Sequence, residues 1–255
     1  MRWPDDRLGI KKSFEREGYV VVEQLFPPDE LDEIRERLNR YLVERVPLLP
    51  KMDVFYEQGP DGKQIKQLPR MNHHDEFFRG LLEKSSLREI TETFWSESAI
   101  PKDVAFFDKP IGNNHPTPPH QDGFYFRLKP CVALTAWLAL ETVDEGNGCV
   151  RYVKGSHKHG MRPHNRTNVL GFSQGIDDFP VTGDSQNEVA VCVSPGDVIF
   201  HDSLTIHRAE KNESLHRSRP AIGFVYFSCQ AEEDVAGNEA YQESLAQEWQ
   251  AEGKI

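Results

Sequence analysis

The sequence predicts a double-stranded β-helix, a jelly-roll barrel of the mainly β (α+β) class with flanking helices. Three observations lead there. The first hundred residues carry helical periodicity, and from Pro101 onward short apolar runs recur between turn signals. One of those runs, Pro118-Pro119-His120-Gln121-Asp122-Gly123, sets an imidazole and a carboxylate two residues apart. Helices followed by many short strands imply two packed sheets dressed with helices. At 255 residues, 38% of them hydrophobic and 10% aromatic, a single such domain accommodates the whole chain. Residues 1–100 form its helical support with a candidate lid, 101–230 the barrel, and 231–255 a tail.

The elements follow in order. Residues 7–17 read as a helix closed by Gly18, and Tyr19-Val20-Val21-Val22 as a β-branched strand. Leu31, Ile34, Leu38 and Leu42 recur at helical spacing between Asp29 and Pro47. From Lys51 to His74 no period is visible, and Gly59-Pro60-Asp61-Gly62 signals a turn, so this stretch reads as a lid. Asp75 to Trp95 is helical, with capping-box spacing at Ser86 and Glu89 marking a second start.

Strands then take over. Val104-Ala105-Phe106-Phe107 leads through the turn Gly112-Asn113-Asn114 to the His120 motif. Val132 to Leu140 is apolar on both faces, as a central strand is, and Gly148 to Val153 is another strand. His159 to Glu188 is polar and aperiodic. Val189 to Val193 and Val198-Ile199-Phe200 read as a tight pair about Ser194-Pro195-Gly196-Asp197. Arg219 to Cys229 supplies the last strand, and Asn238 to Glu252 a polar helix or frayed end.

In an extended strand, side chains at i and i+2 leave from one face, so His120 and Asp122 can reach one point. With a later histidine they would complete a 2-His-1-carboxylate facial triad, which holds Fe(II) and leaves positions open for co-substrate and oxygen. His201, His207 and His216 are the candidates for that ligand. His207 reads as the end of the strand begun at Val198, His201 as a packed or supporting histidine, and His216 as solvated beside Arg217. A hairpin through Asn212 would bring His207 near Arg219, whose planar fork suits the far carboxylate of a metal-chelating 2-oxo acid.

The formal net charge of −11 argues against nucleic acid or an anionic membrane as partner, and against a nucleic-acid demethylase. Cys131, Cys149, Cys192 and Cys229 form no CxxC pair, so neither a zinc-thiolate site nor a redox dithiol is indicated. With no apolar leader and no spanning run, a reducing cytoplasmic setting is the expectation. The oligomeric state is not legible.

An ordered set of motifs resembles the phytanoyl-CoA dioxygenase (PhyH) family. The set opens with Phe14-Glu15-Arg16-Glu17-Gly18-Tyr19-Val20-Val21-Val22 and continues through Asp108-Lys109-Pro110, Pro119-His120-Gln121-Asp122 and Trp137-Leu138-Ala139-Leu140. Asn147-Gly148-Cys149, Lys154-Gly155-Ser156-His157, Gly196 to His201, His207, Asn212-Glu213-Ser214 and Arg219-Pro220-Ala221-Ile222 complete it. The resemblance implies Fe(II), 2-oxoglutarate and O2 as cofactor and co-substrates, with His120, Asp122 and His207 as metal ligands. It implies Arg219 on the distal carboxylate of 2-oxoglutarate, and co-substrate-site roles for Gln121 and Trp137, with Thr135 on the strand face of Trp137. Lys63 and Lys66 stand for a lysine that contacts 2-oxoglutarate in some relatives.

The activity implied is hydroxylation of an aliphatic carbon of a small molecule, with release of succinate and CO2. Related halogenases carry a small residue where this chain has Asp122, so the carboxylate favours hydroxylation. The ending Gly253-Lys254-Ile255 is not a peroxisomal address, and phytanoyl-CoA is not the expected substrate. The alternative is a non-catalytic, cupin-like jelly-roll binding module.

Two basic stretches run against the acidic balance. One holds Lys154, His157, Lys158, His159, Arg162, His164 and Arg166; the other holds Lys51, Lys63, Lys66, Arg70, His73 and His74. Placed over a barrel mouth they would concentrate an anion, so a substrate with a carboxylate, phosphate or phosphonate, held by Arg162, Arg166 or Arg70, is expected.

Overall fold

Alternation along Ala133–Ala139 shows how the two layers form. In the computed structural model, which describes residues 1–59, 62–112 and 115–253, Leu134, Ala136 and Leu138 face the helices while Thr135, Trp137 and Ala139 face the barrel interior. This strand is buried along its whole length, which explains its apolar run.

The larger sheet has seven antiparallel strands in the order Tyr19–Val22, Val198–Asp202, Ala133–Ala139, Ala221–Ser228, Ala99–Phe107, Gly62–Leu68, Phe55–Gly59. The smaller sheet runs Glu188–Val191, Val150–Val153, His207–Ala209, Thr117–His120. The hairpin His164–Val169 with Phe172–Ile176 packs beside Thr117–His120. Together these give the expected jelly roll.

The N-terminal helices form as their patterns dictate. Arg7–Glu17 closes on Gly18 at φ 81°, the left-handed conformation that glycine adopts without strain. Pro28–Glu44 buries Leu31, Ile34, Leu38 and Tyr41. Glu76–Lys84 is capped by Asp75. Ser86–Trp95 is capped by Ser85, one residue before the expected start, whose hydroxyl accepts from Leu87 N at 3.2 Å. Their apolar faces cover the outer side of the large sheet around Phe14, Phe94 and Phe200.

Several expectations are corrected. The stretch 51–74 is not irregular: its hairpin extends the large sheet through Gln67 and Leu68 on Phe107 and Phe106. Residues 159–188 hold the hairpin at 164–176 and the helix Thr182–Asn187. Glu188–Val191 and Val198–Asp202 do not pair; they sit in different sheets, and the turn between them carries the chain across. The C-terminal helix Val235–Ala251 is docked, burying Leu245 and Trp249 against Phe55. The expected turns at Pro60-Asp61 and Asn113-Asn114 and the end Lys254-Ile255 lie outside the described residues. Among the described residues no helix is long and apolar enough to cross a membrane.

Candidate metal centre

The chain reaches the centre as a strand and leaves it as a helical turn. Thr117–His120 pairs with His207–Ala209 so that His120 and His207 stand directly opposite each other, with ring centroids 4.2 Å apart. The strand ends at His120. Asp122 is already helical (φ −55°, ψ −35°) and heads the turn Gly123–Phe126. It therefore meets His120 through the turn and not through a shared strand face. At Gly123 a Cβ would lie 2.5 Å from Cys131 Sγ, so the turn seats closely against its neighbours only because it has none; Gly123 N donates to Ser203 O at 2.9 Å.

The result is a compact donor set. Asp122 Oδ1 lies 3.5 Å from His120 Nε2 and 3.6 Å from His207 Nε2, and one ligand atom from each of the three falls within 4.8 Å of the others. His120 Nδ1 donates to Pro118 O at 2.8 Å and His207 Nδ1 to Thr205 O at 3.0 Å. A carbonyl only accepts, so each Nδ1 carries the proton and each Nε2 offers its lone pair to the centre. Asp122 Oδ2 is held separately: Thr135 Oγ1 donates to it at 2.7 Å, and His201 Nε2 at 3.1 Å. Tyr152 OH orients His201 through Nδ1 at 3.0 Å.

Burial opposes ionisation of Asp122, but His207, His120 and His201 outweigh it and hold the carboxyl well below the usual range. Burial, and then His120, push His207 well below its usual value, which favours a neutral imidazole. Two imidazole Nε2 atoms and a carboxylate oxygen, each side chain fixed by an outer hydrogen bond, fit a divalent iron. Because Thr135 orients the carboxylate, Thr135→Val is expected to weaken Fe(II) binding about 10–100-fold with the fold unchanged; an anaerobic metal titration checks this.

Arg219 enters from the opposite sheet, just before Ala221–Ser228. No hairpin joins it to His207, which opens a strand of the small sheet after a turn and does not end the one begun at Val198. The barrel interior brings the two together instead: Arg219, Trp137, Thr135, Lys66, Lys109 and the three donors line one cavity of about 80 Å³. Arg219 is buried, its guanidinium carbon 5.1 Å from the Trp137 ring centre. Its Nε has no hydrogen-bond partner, and among the described residues no carboxylate lies within 4.0 Å of its guanidinium. Burial pushes its pKa down to about 10, with Asp108 opposing. A buried, unmatched cation aimed into a cavity is a fitting anchor for a carboxylate.

Of the two lysines left open, Lys66 is buried on the cavity wall and Lys63 is exposed. Lys109 joins it; burial, then Arg219 and Lys66, push Lys109 down to about 7. No role was read for Lys109, Tyr152 or Asp108 from the sequence, although the Asp-Lys-Pro motif pointed at the segment.

Gln121 does not reach this cavity. Its Nε2 donates to Gly160 O and Leu204 O, and its Oε1 accepts from Arg162 N, so it ties loops together beside the centre. The three arginines expected to hold an anion have partners within the chain. Arg162 pairs with Asp178 and Asp184, and Arg166 with Glu248 while lying over Tyr241. Arg70 lines a larger cavity of about 480 Å³ that shares His120 and Asp122, but its guanidinium is held by Asp53 and Met52 O. His216 is exposed.

The model of the phytanoyl-CoA dioxygenase family matches residues 14–221. The peroxisomal phytanoyl-CoA dioxygenase of Homo sapiens is 26% identical over 221 residues, 81% of this chain and 64% of that protein, so the chain spans less than two thirds of that relative. Among solved structures, the epimerase SnoN in complex with Fe3+, alpha ketoglutarate and nogalamycin RO superposes with a TM-score of 0.73 at 22% identity, covering 92% of this chain and 90% of that one. EvdO2 from Micromonospora carbonacea var. aurantiaca, complexed with 2-oxoglutarate, gives 0.71 at 23%, covering 89% and 93%.

Proposed function

We propose, from the premise that this chain belongs to the phytanoyl-CoA dioxygenase family, that it is an Fe(II)- and 2-oxoglutarate-dependent dioxygenase hydroxylating an aliphatic carbon of a small molecule. The observation that carries the reading is Arg219: a buried guanidinium with an orphaned Nε in the cavity lined by His120, Asp122 and His207. A binding module with a structural metal has no use for such a cation. The SnoN and EvdO2 structures, of the same fold, hold 2-oxoglutarate, which supports the same ligand here.

His120 Nε2, His207 Nε2 and Asp122 Oδ1 would hold the iron, and Arg219 the distal carboxylate of 2-oxoglutarate. Bound together with oxygen, they supply the oxidative decarboxylation of 2-oxoglutarate to succinate and CO2, with the second oxygen atom inserted into a substrate C–H bond. The chain's own residues position and shield. Thr135 and His201 fix which carboxylate oxygen faces the centre. The Pro118 and Thr205 carbonyls fix both imidazole tautomers. Trp137, Phe107, Val150 and Phe172 line the co-substrate cavity with apolar surface, which keeps Arg219 poorly hydrated and strengthens its charge pairing. The larger cavity beyond His120 and Asp122 is the space for the primary substrate.

Anaerobic addition of Fe(II) and 2-oxoglutarate is expected to produce a weak visible charge-transfer band, and admission of air to produce succinate. Failure of both would leave the jelly-roll binding module as the reading.

A further inference from the structure

Apart from Asp122, which belongs to the metal centre, the larger cavity carries one carboxylate, Asp103, with no cationic side chain in contact among the described residues. Its floor is the inner face of the large sheet, where Asp103 stands beside Ala105 and Phe107 on one strand and Gly223, Val225 and Phe227 on the next. The other charged groups on its wall are matched: Arg70 by Asp53, and Lys102 by Glu233 at 2.7 Å. The Asp103 carboxylate accepts from backbone N–H groups, those of Arg70, at 3.0 Å to Oδ1, and Val104, and among the described residues no cationic side chain lies within 4.0 Å of it. Burial pushes its carboxyl up, with Arg70 and His73 opposing, so the site gains from an arriving positive charge.

Two further features point the same way. Val225 pairs with Asp103 while Tyr226 pairs with Pro101, so Lys102 is an extra residue and the strand bulges there. Bulges beside active sites re-aim side chains, and here both Lys102 and Asp103 reach the cavity. Around the carboxylate the walls are aromatic, including Tyr125, Phe126, Phe227 and Trp249, and ring faces attract cations.

We propose that Asp103 anchors a cationic amine on the primary substrate. Thr135, Val225 and Asp103 are register partners across three adjacent strands, which puts Thr135 and Asp103 roughly 10 Å apart. Thr135 in turn holds Asp122. The carbon to be hydroxylated therefore lies within roughly 10 Å of the amine nitrogen. This replaces the anionic substrate expected from the basic stretches, and it rests on the oxygenase reading for the word substrate only.

The test is calorimetry on the full chain, with and without Mn(II) and 2-oxoglutarate, using three probes of equal length: 4-phenylbutylammonium, 4-phenylbutan-1-ol and 5-phenylpentanoate. The amine is expected to bind roughly tenfold or more tighter than the alcohol, as a desolvated charge pair should, and the carboxylate most weakly. Asp103→Asn keeps an oxygen for the Arg70 N–H but removes the charge; its amine affinity should fall to that of the alcohol, with the melting temperature unchanged. An amine bound no tighter than the alcohol by the unaltered protein, a carboxylate bound tightest, or no binding of any probe overturns the proposal without recourse to a variant. A preference for the amine that survives in Asp103→Asn overturns it as well. Binding is read without turnover, so amine selectivity without succinate formation counts against the oxygenase reading alone.

Discussion

The Asp122→Ala protein is expected to bind no Fe(II) at concentrations that saturate the parent, and to form no succinate, while its circular dichroism stays the same. Asp122 supplies the one negative ligand, and its Oδ1 lies between the two Nε2 atoms at 3.5 and 3.6 Å. Alanine leaves two imidazole nitrogens and no anionic oxygen, a poor site for a divalent iron. The strand pairing of His120 with His207 does not depend on the carboxylate, so the fold persists. His120→Ala and His207→Ala should behave alike, whereas His216→Ala, on the surface, should leave turnover near the parent's. An Asp122→Ala protein that still gave the visible band and succinate would refute the ligand assignment.

Arg219→Ala is expected to weaken 2-oxoglutarate by two to three decades with Fe(II) affinity unchanged. Removing one partner of a desolvated charge pair costs about 2–5 kcal/mol, at about 1.4 kcal/mol per decade. Arg219 is buried with an unpartnered Nε, and the other cations on the cavity wall, Lys66 and Lys109, are point charges that do not reproduce its fork. Arg219→Lys should recover part of the loss, since a point charge returns but the two-pronged fork does not. The KM for 2-oxoglutarate and a separate metal titration distinguish this from damage to the iron ligands. Equal 2-oxoglutarate affinity in parent and Arg219→Ala would place the anchor elsewhere.

What could be read from the sequence was the fold class and the chemistry of the motifs; what could not was how distant segments meet. His120 and Asp122 do converge, but through a helical turn that the two-residue spacing alone does not distinguish from a strand. His207 and Arg219 converge from opposite sheets, an arrangement with no local signature. The strand Gly62–Leu68 escaped notice because its buried face includes Lys66, a charged residue turned toward the cavity of Arg219, which breaks the apolar alternation that marks a strand. The basic stretches misled for a related reason. Arg162 meets Asp178 and Asp184, and Arg166 meets Glu248, pairings that neutralise a local excess only after folding. Asp103 had no motif around it at all; its meaning comes from the bulge and from the sheet face it occupies.

The strand Ala221–Ser228 occupies the middle of the seven-stranded sheet although it is the last of the seven in the chain. Ala133–Ala139 and Ala99–Phe107 flank it and never touch each other as strands. Without this strand the two flanking strands would each present an unpaired edge to the other. Such edges invite pairing with other chains, so the docking of Ala221–Ser228 is what removes that hazard from the middle of the sheet. Arg219 arrives with that same segment. His120, Asp122 and His207 all precede it in the chain, so on the proposed assignment the residues that would hold iron are made before the one that would hold 2-oxoglutarate.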